Sequence, residues 1–401
     1  MWRPDILRPA RPRRTLALLM VAAGLGLAGC AGVATAPPEP VVPLLHDEAF
    51  APPAQEVRIA DVFALSPEMV RYLDVEIAHR LRRSGGQWGL IDALYDRELL
   101  RLEYDSATTR TASEAFAARS GNCLSLVIMT AALARHLDLP VTFQSVDVDD
   151  SWTRGQSLLL AAGHVNLVLG RRMLDRTGGF GNDISMTIDF LPPQDLRGRR
   201  VSVISEARIL AMFFNNRAAE ALARGDLDLA YASAKAAMAQ DPGFSSAQIT
   251  LGVVYHRRGL LDAAETAFRH VLRAEPRNTQ ALADLSSVLF GLGREGEALQ
   301  VKQDLARLEA QPPFYFFELG KAAVQRGDFE AGRAWLQREL SRDPDYHEVH
   351  FWLALADAGL GDLKAARRHL SEAMANSTTR GEHDLYAAKL DRLQASMRAT
   401  P

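Results

Sequence analysis

The chain is 401 residues long, enough for two or three domains with real cores, and 48% of it is apolar. Charged residues make up 24% and sum to −3, which excludes the basic footprint of a nucleic-acid-binding protein. Cysteine is the informative count, because there are two, Cys30 and Cys123.

Arg3, Arg8, Arg11, Arg13 and Arg14 precede a short apolar run from Thr15 to Ala28, closed by Leu27-Ala28-Gly29-Cys30. A basic part, an apolar part and small residues in that order mark a secretory signal, and the apolar part is too short for a comfortable membrane span. Small residues ending in Cys resemble a bacterial lipobox. The resemblance implies that residues 1–29 are a lipoprotein signal peptide and that Cys30 is lipidated. Ala31 rather than Asp follows, which by the same resemblance implies anchoring on the periplasmic side of the outer membrane. The plainer alternative is an ordinary signal or anchor that happens to contain Cys30. With Cys30 lipidated, Cys123 has no disulfide partner, and an unpaired thiol in an oxidising compartment is a candidate reactive group. Residues 30–56 hold Pro37, Pro38, Pro40, Pro43, Pro52 and Pro53, which predicts an extended tether.

Residues 57–205 read as an α+β domain. Ser66-Pro67 is a helix start, apolar residues continue the helix to Leu81, and a second helix spans roughly 88–99. Arg119-Ser120-Gly121-Asn122-Cys123 then opens an apolar helix that Pro140 ends. In its first turn the helix dipole and free backbone N–H groups favour the thiolate form that attacks carbonyl carbon. Alternation predicts strands over 141–148, 163–169 and 184–190. His164 and Asn166 share one face of the second strand, and Asp189 lies on the polar face of the third. A thiol attacking an amide needs a base and a group to hold that base. Cys123, His164 and Asp189 are the candidates in those roles, with the backbone N–H of Cys123 as an oxyanion donor. The bland alternative for each is a packed core cysteine, a strand histidine and a surface acid.

From about residue 211 only helical patterns remain, and Gly225, Gly259, Gly293, Gly327 and Gly361 recur every 34 residues. Small residues recur in the same frame at 218, 252, 286, 320 and 354. Leu251, Gly252, Tyr255, Ala264, Phe268 and Pro276 make the cleanest unit. This is the tetratricopeptide (TPR) pattern, and it predicts five repeats over 211–380 with a capping helix and tail over 381–401. His347-x-x-His350 reads as a solvated face without a third ligand, so no metal or cofactor is expected. The Phe314–Phe317 cluster reads mainly as inter-helix packing, with the alternative that the frame turns Phe317 toward the concave face, where it could grip a peptide. Gly85-Gly86 and Gly178-Gly179 read as turn glycines.

The segment around Cys123, with the later His164-Val165-Asn166-Leu167 and Asp189-Phe190, resembles the transglutaminase-like superfamily, whose fold is papain-like and whose chain order is Cys, His, Asp. The family's usual His-Ala-Trp is His164-Val165-Asn166 here, and Trp152 and Asn166 are candidate substrate contacts. The resemblance implies a transglutaminase-like (papain-like) domain followed by an all-α TPR solenoid. It further implies a cysteine hydrolase or acyltransferase acting on peptide or amide bonds through a thioester, with a protein or peptide partner on the TPR concave face and the membrane held through lipid. The alternative is a non-catalytic lipoprotein scaffold whose repeats bind proteins and whose first domain is a binding module.

Overall fold

The computed structural model describes residues 44–53, 58–96, 100, 102–147, 152–155, 158–161, 164–170, 185–190, 200–308 and 314–399. The signal peptide, Cys30, the first part of the tether and Gly178-Gly179 lie outside the described residues.

The first domain opens on α1 (Ile59–Val62) and α2 (Pro67–Arg71), the latter capped by the Ser66 hydroxyl, which accepts from the Met69 N–H. A π-helical turn over Tyr72–Glu76 leads into α3 (Ala78–Ser84), and α4 (Gly86–Tyr95) follows. A two-residue parallel bridge, β1 (Glu103–Tyr104) with β2 (Ser120–Gly121), encloses α5 (Ala112–Ala118). Then comes α6 (Cys123–His136), in which every residue from Leu124 to Ala134 is buried. A helix that is apolar all round belongs at the centre of a domain. It packs on an antiparallel sheet.

That sheet is ordered β7-β6-β3-β8, from β3 (Val141–Asp147), β6 (His164–Leu169), β7 (Met186–Ile188) and β8 (Arg200–Ile204). A separate hairpin joins β4 (Trp152–Gly155) to β5 (Leu158–Ala161). The alternation reading misses both the hairpin and β8. In β8 all four residues from Arg200 to Val203 are exposed, so no buried face marks the strand in the sequence.

Ten helices form five antiparallel pairs: α7 (Glu206–Arg224) with α8 (Leu227–Gln240), α9 (Ser245–Arg258) with α10 (Leu261–Ala274), α11 (Thr279–Gly291) with α12 (Glu295–Leu308), α13 (Tyr315–Gln325) with α14 (Phe329–Leu340), and α15 (His347–Gly359) with α16 (Leu363–Ala375). Helix α17 (Arg380–Ala399) covers the last pair. The five glycines of the 34-residue frame close the turns at φ of 79°, 84°, 74°, 83° and 80°, a region that L side chains avoid. Close approach explains the small-residue register. A Cβ on Gly252 would sit 2.6 Å from the Phe268 ring, and one on Gly320 would sit 2.6 Å from Leu336.

One hydrophobic core runs from the first domain (Leu73, Ile128, Leu167) into the first three repeats (Phe213, Tyr255, Phe268, Leu289). A second cluster of Phe314, Phe317, Val324, Leu336, Val349 and Leu353 serves repeats four and five. Helix α8 packs on α9, α10 on α11 and α14 on α15, but among the described residues α12 and α13 share no comparable packing. That junction is where the frame has Ala310 instead of proline.

The Phe314–Phe317 cluster packs between helices as the sequence expects, and Phe317 is fully buried in the second cluster. Two other sequence expectations are corrected. His347 and His350 do not form a solvated face: each is 6% exposed, with His347 Nδ1 2.9 Å from the Tyr386 hydroxyl and His350 Nδ1 3.0 Å from His369 Nδ1. The described end of the tether, residues 44–51, is not extended into solvent but lies against α8 and α9, with Leu44 buried.

Candidate functional site: a thiol, an imidazole and a carboxylate

The site is assembled from the amino end of α6 outward. Helix α5 begins with a capping box, in which the Thr111 hydroxyl accepts from Glu114 N–H and the Glu114 carboxylate accepts from Thr111 N–H. It ends at Arg119 in the left-handed region, φ 52°. Ser120 and Gly121 then run beside Glu103 and Tyr104. Gly121 is required by crowding, since a Cβ there would lie 2.7 Å from Ser125 Cβ. Asn122 caps α6: its Oδ1 accepts from Ser125 N–H at 2.9 Å and from Ser125 Oγ at 2.8 Å. Its Nδ2 donates to Thr109 Oγ1 at 2.8 Å. These bonds fix the first turn of the helix, and Cys123, half-buried, is its first residue.

The sheet brings the other two groups to one end. His164 is the first residue of β6 and Asp189 follows the last residue of β7; the strands are antiparallel neighbours, so both lie at the same edge. His164, 4% exposed, donates from Nε2 to Asp189 Oδ1 at 2.7 Å. Burial alone pulls the imidazolium down. The Asp189 hydrogen bond, with the weak hydrogen bond and charge of Cys123, reverses that and leaves His164 at about 9. His164 Nδ1 is buried and has no hydrogen-bond partner among the described residues.

Asn166 is 3% exposed and donates from Nδ2 to Asp189 Oδ2 at 2.9 Å. It therefore stands behind the carboxylate, holding its second oxygen through Nδ2, while its own Oδ1 is buried without a partner among the described residues. Trp152 opens β4, in a hairpin separate from the sheet that carries His164.

Residues that the sequence reading passed over complete the surroundings. Tyr104 is 38% exposed, yet burial, and after it the neighbouring Cys123 charge, holds its phenol above the ordinary range. Thr109 couples the site to the solenoid. Its N–H donates to Glu220 Oε1 at 2.6 Å and its carbonyl accepts from Arg217 Nη1 at 3.3 Å, both on α7. Three residues earlier, Ser106 meets Thr378 through N–H to carbonyl at 3.2 Å and Oγ to Oγ1 at 3.0 Å. One loop thus touches both the first repeat and the end of the last. No local pattern marks Thr109 and Ser106, because their partners on the solenoid side lie more than 100 positions away.

Among the described residues no group of three or more His, Cys, Asp or Glu side chains is arranged to hold a metal ion. Among them also, no helix is long and apolar enough to cross a membrane.

Family models described as tetratricopeptide repeat match residues 221–285 and 317–379. A TPR repeat-containing protein of Pseudomonas aeruginosa is 34% identical over 82 residues, which cover 19% of this chain and 78% of that protein. The chain belongs to the tetratricopeptide-repeat family. This TPR protein is also 29% identical over 164 residues to cellulose synthase operon protein C of Pseudomonas fluorescens, a match spanning 39% of this chain but 13% of that much longer relative. Among solved structures, a thermophilic TPR protein of Thermus thermophilus is 20% identical over 45% of this chain and 98% of its own, with a TM-score of 0.29. PilF of Pseudomonas aeruginosa is 18% identical over 47% and 94%, with a TM-score of 0.27. Stacked TPR units present extended surfaces that bind protein or peptide partners. Both family matches fall within the solenoid.

Proposed function

We propose that the chain is a partner-binding scaffold, in which the TPR solenoid holds a protein or peptide and the first domain is docked on its opening repeats as a further binding module. The observation that carries this is the run of five glycine-closed helix pairs. Asp284 on α11 is half-buried with no ion-pair partner among the described residues, and burial pushes it up to about 7. Such a carboxyl favours a cationic group on the partner. A tagged chain should retain a protein from an envelope extract, and Asp284→Arg should reduce its recovery. Identical recovery of every co-purifying protein from both chains would overturn the scaffold reading.

A second reading is favoured by a specific observation, the buried His164 tied to Asp189 through Nε2 and close enough to Cys123 for the thiol to help raise it. We infer acyl transfer of the transglutaminase-like kind. Cys123 Sγ attacks a carbonyl carbon and its proton passes to His164 Nδ1, while the oxyanion meets backbone N–H at the start of α6. The C–N bond breaks, His164 returns the proton to the departing amine, and a thioester remains. Water or a second amine then attacks the thioester, and Sγ leaves. Incubation with an activated amide should add the acyl mass to Cys123 in the unaltered chain and not in His164→Ala. An adduct forming equally in both would sink this chemistry and leave the scaffold.

For location, we propose that Cys30 carries lipid and tethers the chain to the periplasmic side of the outer membrane. Cys30→Ala should move the protein from the membrane fraction to the soluble one, and unchanged retention would refute it.

A further inference from the structure

Residues 44–51 hold a place on the solenoid that is built in unusual detail. Asp47–Ala49 form one 3-10 turn, and the side chains of Leu44, Asp47 and Phe50, at three-residue spacing, all meet the solenoid or its core. The main chain is read at four points. The Tyr255 hydroxyl donates to the Leu44 carbonyl at 2.6 Å, and His46 N–H donates to Tyr231 Oη at 3.0 Å. Arg258 Nη2 donates to the Ala49 carbonyl at 2.9 Å, and Ala51 N–H donates to Asp228 Oδ1 at 3.1 Å.

Three side chains are read as well. Leu44 is buried, Asp47 accepts from the Tyr231 hydroxyl at 2.9 Å and from Lys235 Nζ at 2.6 Å, and Phe50 stacks on Tyr231 at 4.0 Å and 2°. The Arg258 guanidinium lies 5.0 Å from the centre of the Phe50 ring. The hydrogen-bonding and stacking groups named above all lie on α8 and α9.

The repeat frame shows that this slot is not a by-product of TPR packing. Tyr231 is replaced in the later units by Glu265, Leu299, Arg333 and Arg367, and Tyr255 by Leu289, Ala323 and Asp357. At the next junction Glu265 is instead paired with Arg269 and Arg294. Only the first junction carries the two tyrosines whose hydroxyls reach a peptide backbone.

We propose that the slot between α8 and α9 is a peptide-recognition site, that residues 44–51 are its resident ligand bound in cis, and that a partner segment with an apolar, an acidic and an aromatic residue at three-residue spacing binds there by displacing them. The inference deepens the scaffold reading, and rests on it, by naming one surface and the chemistry of its partner. Because the resident segment is covalently attached, it competes at high effective concentration, and a partner in trans meets a slot that is open only part of the time.

The test uses a fluorescent synthetic peptide of residues 44–53 and the full chain in two forms, unaltered and with 44–51 replaced by an equal length of Gly and Ser. Anisotropy should show saturable binding to the replaced chain and about ten-fold or more weaker binding to the unaltered one. Arg258→Ala in the replaced chain, or a peptide with Asp47→Lys and Phe50→Ala, should abolish most of the binding. If the replacement unfolds the chain, Phe50→Ala in the otherwise unaltered protein takes its place and should tighten peptide binding. No saturable binding to a folded replaced chain, or equal affinity for both forms, overturns the proposal. Either failure leaves the partner-capture result above standing, whereas loss of capture with peptide binding intact strikes the scaffold reading and spares the slot.

Discussion

Two buried histidines, one in each region of the molecule, end at opposite extremes. His164 in the first domain stands at about 9, and His369 in the last repeat is pushed down to about 4. Both are largely removed from water, at 4% and 8% exposure, so burial does not separate them. What separates them is the facing charge. His164 meets a carboxylate at 2.7 Å. His369 meets burial first, then His350 and Arg368.

The proton arrangement around His369 explains the sign. His350 Nε2 lies 2.9 Å from the Pro344 carbonyl, an acceptor only, so the ring proton belongs there. Its Nδ1 is then bare and accepts from His369 Nδ1 at 3.0 Å, and His369 Nε2 accepts from Arg368 at 3.3 Å. An added proton on His369 would face Arg368. Asp357, at 3.8 Å, offers little relief, because burial raises its own carboxyl. A buried imidazole becomes a base only where a carboxylate is supplied to it.

The sharpest way to break the contrast is Asp189→Asn. With the carboxylate gone, burial governs His164, and its titration by NMR should fall by roughly two to three pH units, toward or below the free imidazole range. If the thiol depends on that base, alkylation of Cys123 at pH 8 should slow about ten-fold or more. A His164 that stays protonated at pH 8 in this variant would show that the carboxylate is not what holds it up.

Stability should respond to pH in opposite senses in the two regions. The raised His164 contributes stability that is fully present below about 6.5 and lost as pH rises through about 9. The depressed His369 leaves stability intact above about 6.5 and removes it as pH falls toward about 4. Each arm is on the order of 3 kcal/mol. Urea unfolding at pH 4, 7 and 9 should show His164→Phe flattening the alkaline arm and His369→Phe flattening the acid arm. A variant that flattens the wrong arm, or both, would end the comparison.

The two regions also differ in how far they can be read from residues alone. The solenoid is legible as an array because each turn needs glycine at positive φ and each helix pair needs a small residue, and both needs recur every 34 positions. Cys123, His164 and Asp189 can be singled out because a helix start and two strand faces are local patterns. The histidines of the last repeat escape such reading because their burial depends on His369 and Tyr386, 19 and 39 positions onward. Residues 44–51 are hidden by neighbouring prolines, and their partners Tyr231 and Tyr255 lie 185 and 211 positions away. Asn166 falls on the expected face, but a face does not reveal that its amide is taken by Asp189. Contacts across long separations follow from packing, which local patterns do not encode.

Asn166→Ala probes the same pair more gently. It removes one charge-assisted hydrogen bond to Asp189 Oδ2 while leaving Oδ1 on His164. The expected loss is about 2 kcal/mol in urea unfolding, with His164 still titrating above the free range. A collapse of the His164 titration as large as that of Asp189→Asn would mean that Asn166 positions the carboxylate outright.

The smallest expected change lies in the last repeat. Tyr386→Phe takes the hydroxyl from His347 Nδ1, 2.9 Å away, and leaves the ring packed beside Phe351 at 5.2 Å. A neutral hydrogen bond is worth about 1 kcal/mol, and its loss strands one buried ring nitrogen. Since α17 meets the rest of the chain mainly through α16, the loss should show as faster amide exchange in α17 and α15, with α6 and β6 unchanged. That confinement is the informative part. Repeats four and five have their own hydrophobic cluster, separate from the core that the first domain shares with repeats one to three. Exchange that also quickened in α6 would show that the end of the solenoid is coupled to the candidate site, with the Ser106–Thr378 contact as the direct route.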